Sequence, residues 1–272
     1  MVGKLYKYAH AVETRLFQMY ELSLMKGKGS SFGSRFRRQI WKSPSQTEDW
    51  VNIARFFDPD DRLLLVDVGA NVGDFTSTFL SIYKSARSVC FEPVSSTFQG
   101  LAKRFSGDTR VETHRIALSD ADGSAEVYLH DDSALCTLTK YTSQANEFYL
   151  SGATQSEKTE TRRLDSLQLP TGHDRLFVKI DVQGFEIEVI RGAMQTLSRT
   201  DAVLIECSFA DEWEGKEPSF SPACALLMQC NLYPIIFQDY GRRISNYAFE
   251  RDVLFVRREL LSKIWFSNYS SS

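Results

Sequence analysis

One stretch limits the folds open to this chain more than any other. It is Leu63-Leu64-Leu65-Val66-Asp67-Val68-Gly69-Ala70-Asn71-Val72-Gly73. Apolar residues fill every position from Leu63 to Val68 except Asp67. Such a run reads as a strand buried on both faces, the kind found in a parallel sheet. Two glycines follow, and Asp74 to Tyr83 then carries Phe75, Phe79 and Ile82 at helical spacing. Strand, glycine turn and helix form the first unit of a doubly wound sheet, and such sheets bind ligands at the carboxyl ends of their strands.

The turn narrows the ligand. Gly69 keeps a Cβ away from whatever approaches the backbone, and Gly73 lets the helix begin close to the strand. The dinucleotide fingerprint asks for G-x-G-x-x-G, and Asn71 replaces its middle glycine. The phosphate-loop pattern is absent, since Gly27-Lys28 is followed by Gly29. What remains, D-x-G-x-x-x-G, resembles the first motif of class I S-adenosylmethionine-dependent methyltransferases. A tight turn in an unrelated α/β domain is the competing reading.

Further signals follow in order. Ser88 to Phe91 is a short apolar strand ending in Glu92-Pro93. In a sheet of this type an acidic residue about 20 positions past the fingerprint holds ribose hydroxyls, and a carboxylate can accept from two vicinal hydroxyls. Pro93 ends pairing there. Val111 to Ala117 alternates and reads as one strand, with Leu118-Ser119 beside the ligand edge; Ser124 to His130 reads as another. His130-Asp131-Asp132 reads as a solvated loop, and residues 131–158 as a long polar loop of the kind that forms lids. Leu176 to Ile180 is a second central strand. Lys179 and Asp181, two apart, share a face near its end. Gly184 gives a turn, and Phe185 to Ile190 a helix that Gly192 closes. Ala202 to Cys207, with Glu206 near its end, and Tyr233 to Phe237 and Asp252 to Arg257 complete the strands, with a helix near Ser221 to Cys230.

Taken together, Asp67-x-Gly69-Ala70-Asn71-x-Gly73, Phe91-Glu92-Pro93, Ala117-Leu118-Ser119, Leu164-Asp165-Ser166-Leu167 and Val178-Lys179-Ile180-Asp181-Val182-x-Gly184-Phe185-Glu186 resemble the FkbM family of S-adenosylmethionine-dependent methyltransferases. The resemblance spans roughly residues 60–258. One departure is Gln183, where the family usually carries Glu. The resemblance implies a class I, Rossmann-like doubly wound α/β sheet, mostly parallel, closed by a C-terminal antiparallel strand. It implies S-adenosylmethionine held by Asp67, Gly69, Ala70, Asn71, Gly73, Glu92, Pro93, Ala117, Leu118 and Asp181. It also implies O-methylation of a hydroxyl on a sugar of a glycolipid, polysaccharide or natural product.

For catalysis the sequence offers Asp181, to orient or deprotonate the acceptor, and Lys179, to hold Asp181 ionised or stabilise developing oxyanion charge. A structural ion pair is the alternative. Asp181 and Glu206 could share a divalent cation such as Mg²⁺, which suits carboxylates, but no ligand spacing demands one. Two other functions stay open: an NAD-dependent oxidoreductase and a non-catalytic S-adenosylmethionine-binding module.

Charge and cysteines bound the setting. The chain of 272 residues carries a net charge of −3, which argues against a general nucleic-acid binder. The five cysteines form no C-x-x-C pair, which suits a reducing, cytoplasmic compartment. The charge is uneven, with nine Lys or Arg against two acids in residues 1–42. Leu5, Val12, Leu16, Met19 and Leu24 lie roughly along one helical face of that segment. It reads as a basic helical extension over residues 1–44, ahead of a methyltransferase domain over 45–272. Its apolar face is covered by the main domain or a second subunit, or meets an anionic membrane surface.

Overall fold

In the computed structural model the described residues are 57–58, 60–143, 155–237 and 250–261. All that follows concerns the compact unit Asp60–Ser272. The extension over residues 1–44, and its boundary with the domain, lie outside the described residues.

The organising stretch is strand β1, Leu63–Val68, buried at every position. Helix α1, Asp74–Ile82, starts at Gly73, whose φ of 82° is left-handed. A side chain at Gly73 would run into Phe105 and Leu101, so glycine there allows close packing on the next helix. β2 is Arg87–Phe91, α2 is Ser95–Phe105 and β3 is Val111–His114.

The chain then leaves the main sheet. β4, Ala117–Leu118, pairs in parallel with β6, Gln155–Arg162, and β5, Gly123–Leu129, pairs with β6 antiparallel. This corrects two expectations. Val111 to Ala117 is not one strand, because Arg115 and Ile116 carry the chain from β3 in the large sheet to β4 in the small one. Part of the expected polar loop 131–158 is strand β6. It is a half-exposed strand whose only buried side chains are Thr159 and Thr161, so apolar alternation could not reveal it.

β7, Arg175–Ile180, returns to lie beside β1. Short helices α3, Glu186–Arg191, and α4, Met194–Leu197, lead to β8, Ala202–Ser208. α5, Phe220–Gln229, precedes β9, Leu232–Phe237, and β10, Glu250–Arg257. The main sheet runs β3-β2-β1-β7-β8-β10-β9, all parallel except β10, which is antiparallel to both neighbours. The doubly wound sheet and its closing antiparallel strand agree with the sequence reading.

Two facts of this topology place the site. The chain winds outward from β1 to β3 and then resumes on the other side of β1, so the winding reverses between β1 and β7. That is the point at which open α/β sheets bind ligands. The strands also sort their side chains by face. Val66, Val68, Val178, Ile180, Val203, Ile205, Val253 and Phe255 fill one core with the faces of α3 and α5. The intervening positions, Asp67, Lys179, Glu206 and Asp252, fall on the opposite face, since Asp67 pairs with Lys179 and Asp252 with Glu206. Phe177 shares that face and stacks on Phe75 and Phe79 of α1.

Candidate active site

At the switch point two turns are fastened to each other. After β1, the amides of Gly69 and Ala70 both donate to the carbonyl of Phe91, each at 3.0 Å, and the Asp181 amide donates to the carbonyl of Val68 at 3.1 Å. Gly69 has a φ of 74°, and a Cβ there would lie 1.8 Å from the carbonyl oxygen of Asp181. Glycine is thus required by the β7 turn itself, a nearer cause than approach to a ligand.

Asp67 lies beneath this turn at 0% exposure. Its Oδ2 accepts from Thr76 Oγ1 at 2.6 Å, and its Oδ1 is 3.7 Å from Lys179 Nζ. Burial, which Lys179 and Thr76 only partly oppose, pushes its carboxyl above the ordinary value. Asp67 therefore supports the turn from below. Thr76, which the sequence presents only as one of several small polar residues in a helix, is part of that support.

Lys179 is the hub of the buried face. Its ammonium donates to the carbonyl of Gly69 at 3.0 Å and sits 3.1 Å from Asp181 Oδ2. Burial opposes its charge, but the carboxylates of Asp181 and Asp67 more than restore it and hold the ammonium above its usual range. The expected pairing of Lys179 and Asp181 is thus present. Asp181 keeps 37% of its side-chain exposure against 11% for Lys179, so it is the more open member of this ion pair. Burial works against its charge too. The nearby Lys179, its hydrogen bond and one from Gln183 prevail, and hold the carboxyl below the ordinary value.

Glu92 sits at the end of β2, buried, and serves as a brace. Its Oε2 accepts from the Asn71 amide at 3.0 Å and its Oε1 from the Val94 amide at 2.9 Å. Burial pushes its carboxyl up to about 7 against those two bonds. Each oxygen retains a further lone pair. Asn71 reaches this position in a left-handed conformation, φ 50°, and its Oδ1 accepts from Ser133 Oγ at 3.2 Å. Pro93 is half-buried next to Glu92. Ala117 and Leu118 are buried in β4 and bonded to β6, in the small sheet. Asp67, Gly69 to Gly73, Glu92, Lys179 and Asp181 therefore form one constellation, to which Ala117 and Leu118 are not bonded.

The turn after β7 is the most heavily fixed part of the site. Glu186 Oε1 accepts from the amides of Val182 and Gly184. Lys216 donates to the Gly184 carbonyl at 2.8 Å and to Glu188 at 3.0 Å. Gly184 is pressed against Trp213, which stacks on Tyr141 at 4.2 Å. Thr137 Oγ1 donates to the Gln183 carbonyl. Residues 140–142 bond by backbone to 212–214. Gln183 itself, left-handed at φ 52°, places its Nε2 3.1 Å from Asp181 Oδ1 and 2.5 Å from Glu206 Oε2. A cation shared by Asp181 and Glu206 does not fit this arrangement, because an amide nitrogen stands between the two oxygens. Burial and then the charge of Asp181 drive Glu206 well above the usual carboxyl range.

His130, Asp131 and Asp132 do not form a cluster. Asp132 caps a 3₁₀ turn by accepting from the Ala134 amide at 3.0 Å, and His130 packs edge-on against Tyr141. Among the described residues no group of three His, Cys, Asp or Glu side chains is placed to hold a metal ion.

A family model for the methyltransferase FkbM domain matches residues 67–244. The chain belongs to the FkbM methyltransferase family. The match begins at Asp67 and takes in the switch point, both turns and the small sheet. 2-O-methyltransferase NoeI of Sinorhizobium fredii is 26% identical over 200 residues, covering 67% of this chain and 78% of NoeI. Among solved structures, the methyltransferase FkbM from Methylobacillus flagellatus aligns with a TM-score of 0.46 at 13% identity, over 72% of this chain and 44% of that one. The chain thus spans less than half of that relative's length. The O-methyltransferase NcsB1 from neocarzinostatin biosynthesis aligns with a TM-score of 0.41 at 14% identity, over 80% of this chain and 56% of that one.

As an FkbM methyltransferase the protein is an S-adenosylmethionine-dependent enzyme, which removes the NAD-dependent oxidoreductase and the non-catalytic binding module. Its sheet is the class I, Rossmann-like sheet that the sequence implied. Among the described residues no helix is long and apolar enough to cross a membrane.

Proposed function

We propose that this enzyme transfers a methyl group from S-adenosylmethionine to a hydroxyl oxygen, and that the hydroxyl belongs to a sugar of a glycolipid, polysaccharide or natural product. The observation that carries this reading is Asp181. It is a carboxylate held ionised by a buried lysine, part-open to solvent, at the switch point of a methyltransferase sheet. The 2-O-methyltransferase NoeI supports oxygen as the methylated atom.

In this reading the cofactor lies over Gly69, Ala70, Asn71 and Gly73, with Glu92 accepting from ribose hydroxyls through its remaining lone pairs. Pro93, Ala117 and Leu118 border the adenine side. S-adenosylmethionine held there would supply an electrophilic methyl group from its sulfonium to the acceptor oxygen. Much of the rate comes from positioning. Asp181 accepts the hydroxyl's hydrogen bond and takes its proton as the carbon–oxygen bond forms. Lys179 keeps Asp181 charged until then. We further propose that the basic residues 1–44 are covered by the main domain or a second subunit or meet an anionic membrane surface; deleting residues 1–26 is expected to change solution mass or lower activity on a lipid-linked acceptor.

The test is transfer of labelled methyl to a panel of sugars, lipid-linked sugars and non-sugar alcohols, beside calorimetric titration with S-adenosylmethionine. Labelled sugar ethers are expected. Exclusive methylation of nitrogen or carbon acceptors would remove the proposal, and so would absence of cofactor binding.

A further inference from the structure

Asp181 and Glu206 come from adjacent parallel strands, β7 and β8, whose last paired residues are Ile180 and Ile205. Two acids brought side by side at a sheet edge need something between them: a proton, a cation or a hydrogen-bond donor. Glu206, driven well above the usual carboxyl range, hydrogen-bonds Asp181 directly, and a second donor serves both acids. An amide nitrogen carries two N–H bonds and no lone pair for a metal. Gln183 Nε2 is within hydrogen-bond reach of one oxygen from each acid, 3.1 Å from Asp181 and 2.5 Å from Glu206. One N–H serves each.

The side chain is held to that task. The backbone at Gln183 is left-handed, and its carbonyl is taken by Thr137. The residues on either side are fixed by Glu186. The other end of the amide, Oε1, accepts from the Tyr141 hydroxyl at 3.4 Å, which points the nitrogen at the acids. The remaining oxygen of Asp181, Oδ2, is already bound by Lys179. Both oxygens of Asp181 are thus fixed, and its plane is set from two directions.

We propose that Gln183 is a positioning residue that does what a bridging cation would otherwise do: its amide holds Asp181 and Glu206 together and orients Asp181, so the pair needs no divalent metal. A cation bound between two carboxylates sits about 2.0–2.6 Å from their oxygens, in the space that Nε2 fills. The inference concerns the contents of this pair and does not depend on which acceptor is methylated.

Mn²⁺ is the probe, read by the loss of its free-ion paramagnetic resonance signal on binding. The quantity of interest is the part of binding that Asp181→Asn abolishes. The full wild-type chain is expected to show none. Gln183→Glu puts a carboxylate oxygen where the nitrogen was, and is expected to gain about one Mn²⁺ per chain, the number a single three-carboxylate site takes. Adding Asp181→Asn should remove it. Asp181-dependent Mn²⁺ binding by the wild type would overturn the proposal. A folded Gln183→Glu chain that gains none would overturn it equally.

Gln183→Leu keeps the test decisive if the Glu variant does not fold. Without the amide, Asp181 and Glu206 repel once both lose their protons. The melting temperature of the Leu variant should fall further below wild type as pH rises. Lys179 of β7, Glu186 of α3, and Glu250 and Asp252 of β10 also act on the pair, and Glu212 acts in turn on Glu250. They are common to both proteins, so the difference isolates the bridge. A constant offset across the pH range would overturn it.

Discussion

Gly69 and Asp181 meet back to back, so closely that a Cβ on the first would lie 1.8 Å from the carbonyl oxygen of the second. Two turns far apart in sequence are thereby locked into one surface. Gly69→Ala has to move the β7 turn and also adopt a φ near 74° that alanine disfavours. We expect a loss of at least about 2 kcal/mol in stability, read by urea unfolding, with Lys179 and Asp181 displaced together. Unchanged stability would mean that the turns are not in contact.

Lys179→Met should be among the most damaging single changes at the site. It leaves Asp67, at 0% exposure, without its nearest cation. Removing one partner from a buried pair costs about 3–5 kcal/mol. Denaturant unfolding gives the number, and Lys179→Met with Asp67→Leu should recover part of it. A loss below about 1 kcal/mol, the level of an exposed pair, would contradict the buried hub.

Asp181→Asn keeps the shape and removes the charge. Turnover should fall on the order of 10²–10⁴-fold, the usual size of a general-base contribution, while cofactor affinity changes little. If affinity and turnover fall together, Asp181 belongs to the cofactor pocket and Glu206 becomes the candidate base.

Glu92→Ala should weaken S-adenosylmethionine by about 1–3 kcal/mol. It also strips the amides of Asn71 and Val94 of their acceptor, so some stability goes with it. Burial holds the Glu92 carboxyl up at about 7, and hydroxyls donate best to the ionised form. Cofactor affinity should therefore rise with pH through about 7 in the wild type and lose that dependence in Glu92→Gln. Calorimetric titration at several pH values decides it, and a pH-independent wild type would count against the ribose role.

Stability has its own pH signature. Burial raises Glu92, Glu186 and Asp252 to about 7. A carboxyl raised in the folded chain holds its proton after the unfolded chain has released it. Its contribution is full below the unfolded value and is lost as pH climbs through about 7. Asp181, held low, is lost only in acid. Between about pH 6 and 8 the protein should lose on the order of 1 kcal/mol for each raised group, and Glu92→Gln should flatten that slope by one share. Rising stability over the same range would refute the assignment.

The sequence shows the strands that are buried on both faces, β1, β7 and β8, because burial leaves apolar runs interrupted only near their ends, by Asp67, Lys179 and Glu206. β6 is hidden by the same logic, since a strand exposed along most of its length has no such run to display. The expected alternation from Val111 to Ala117 does not hold, since Glu112 to Arg115 are all polar and Ile116 to Leu118 all apolar, and the break between β3 and β4 falls where that pattern changes. At the site, the pairing of Lys179 with Asp181 follows from their spacing on one strand. The bond from the Asn71 amide to Glu92 does not, because it depends on a left-handed backbone. Gln183 is visible as an unusual residue, but what its nitrogen touches is set by the fold of β8.

The stacked Tyr141 and Trp213, with the backbone bonds between 140–142 and 212–214, make those two segments one piece, clamped on Gln183 and Gly184. A change in either segment is therefore transmitted to the other and to the turn carrying Asp181. A loop taken from a relative in place of residues 137–142 would leave Trp213 without Tyr141, and would disturb the turn carrying Asp181. Recombination that preserves the Asp181 turn has to exchange both segments at once.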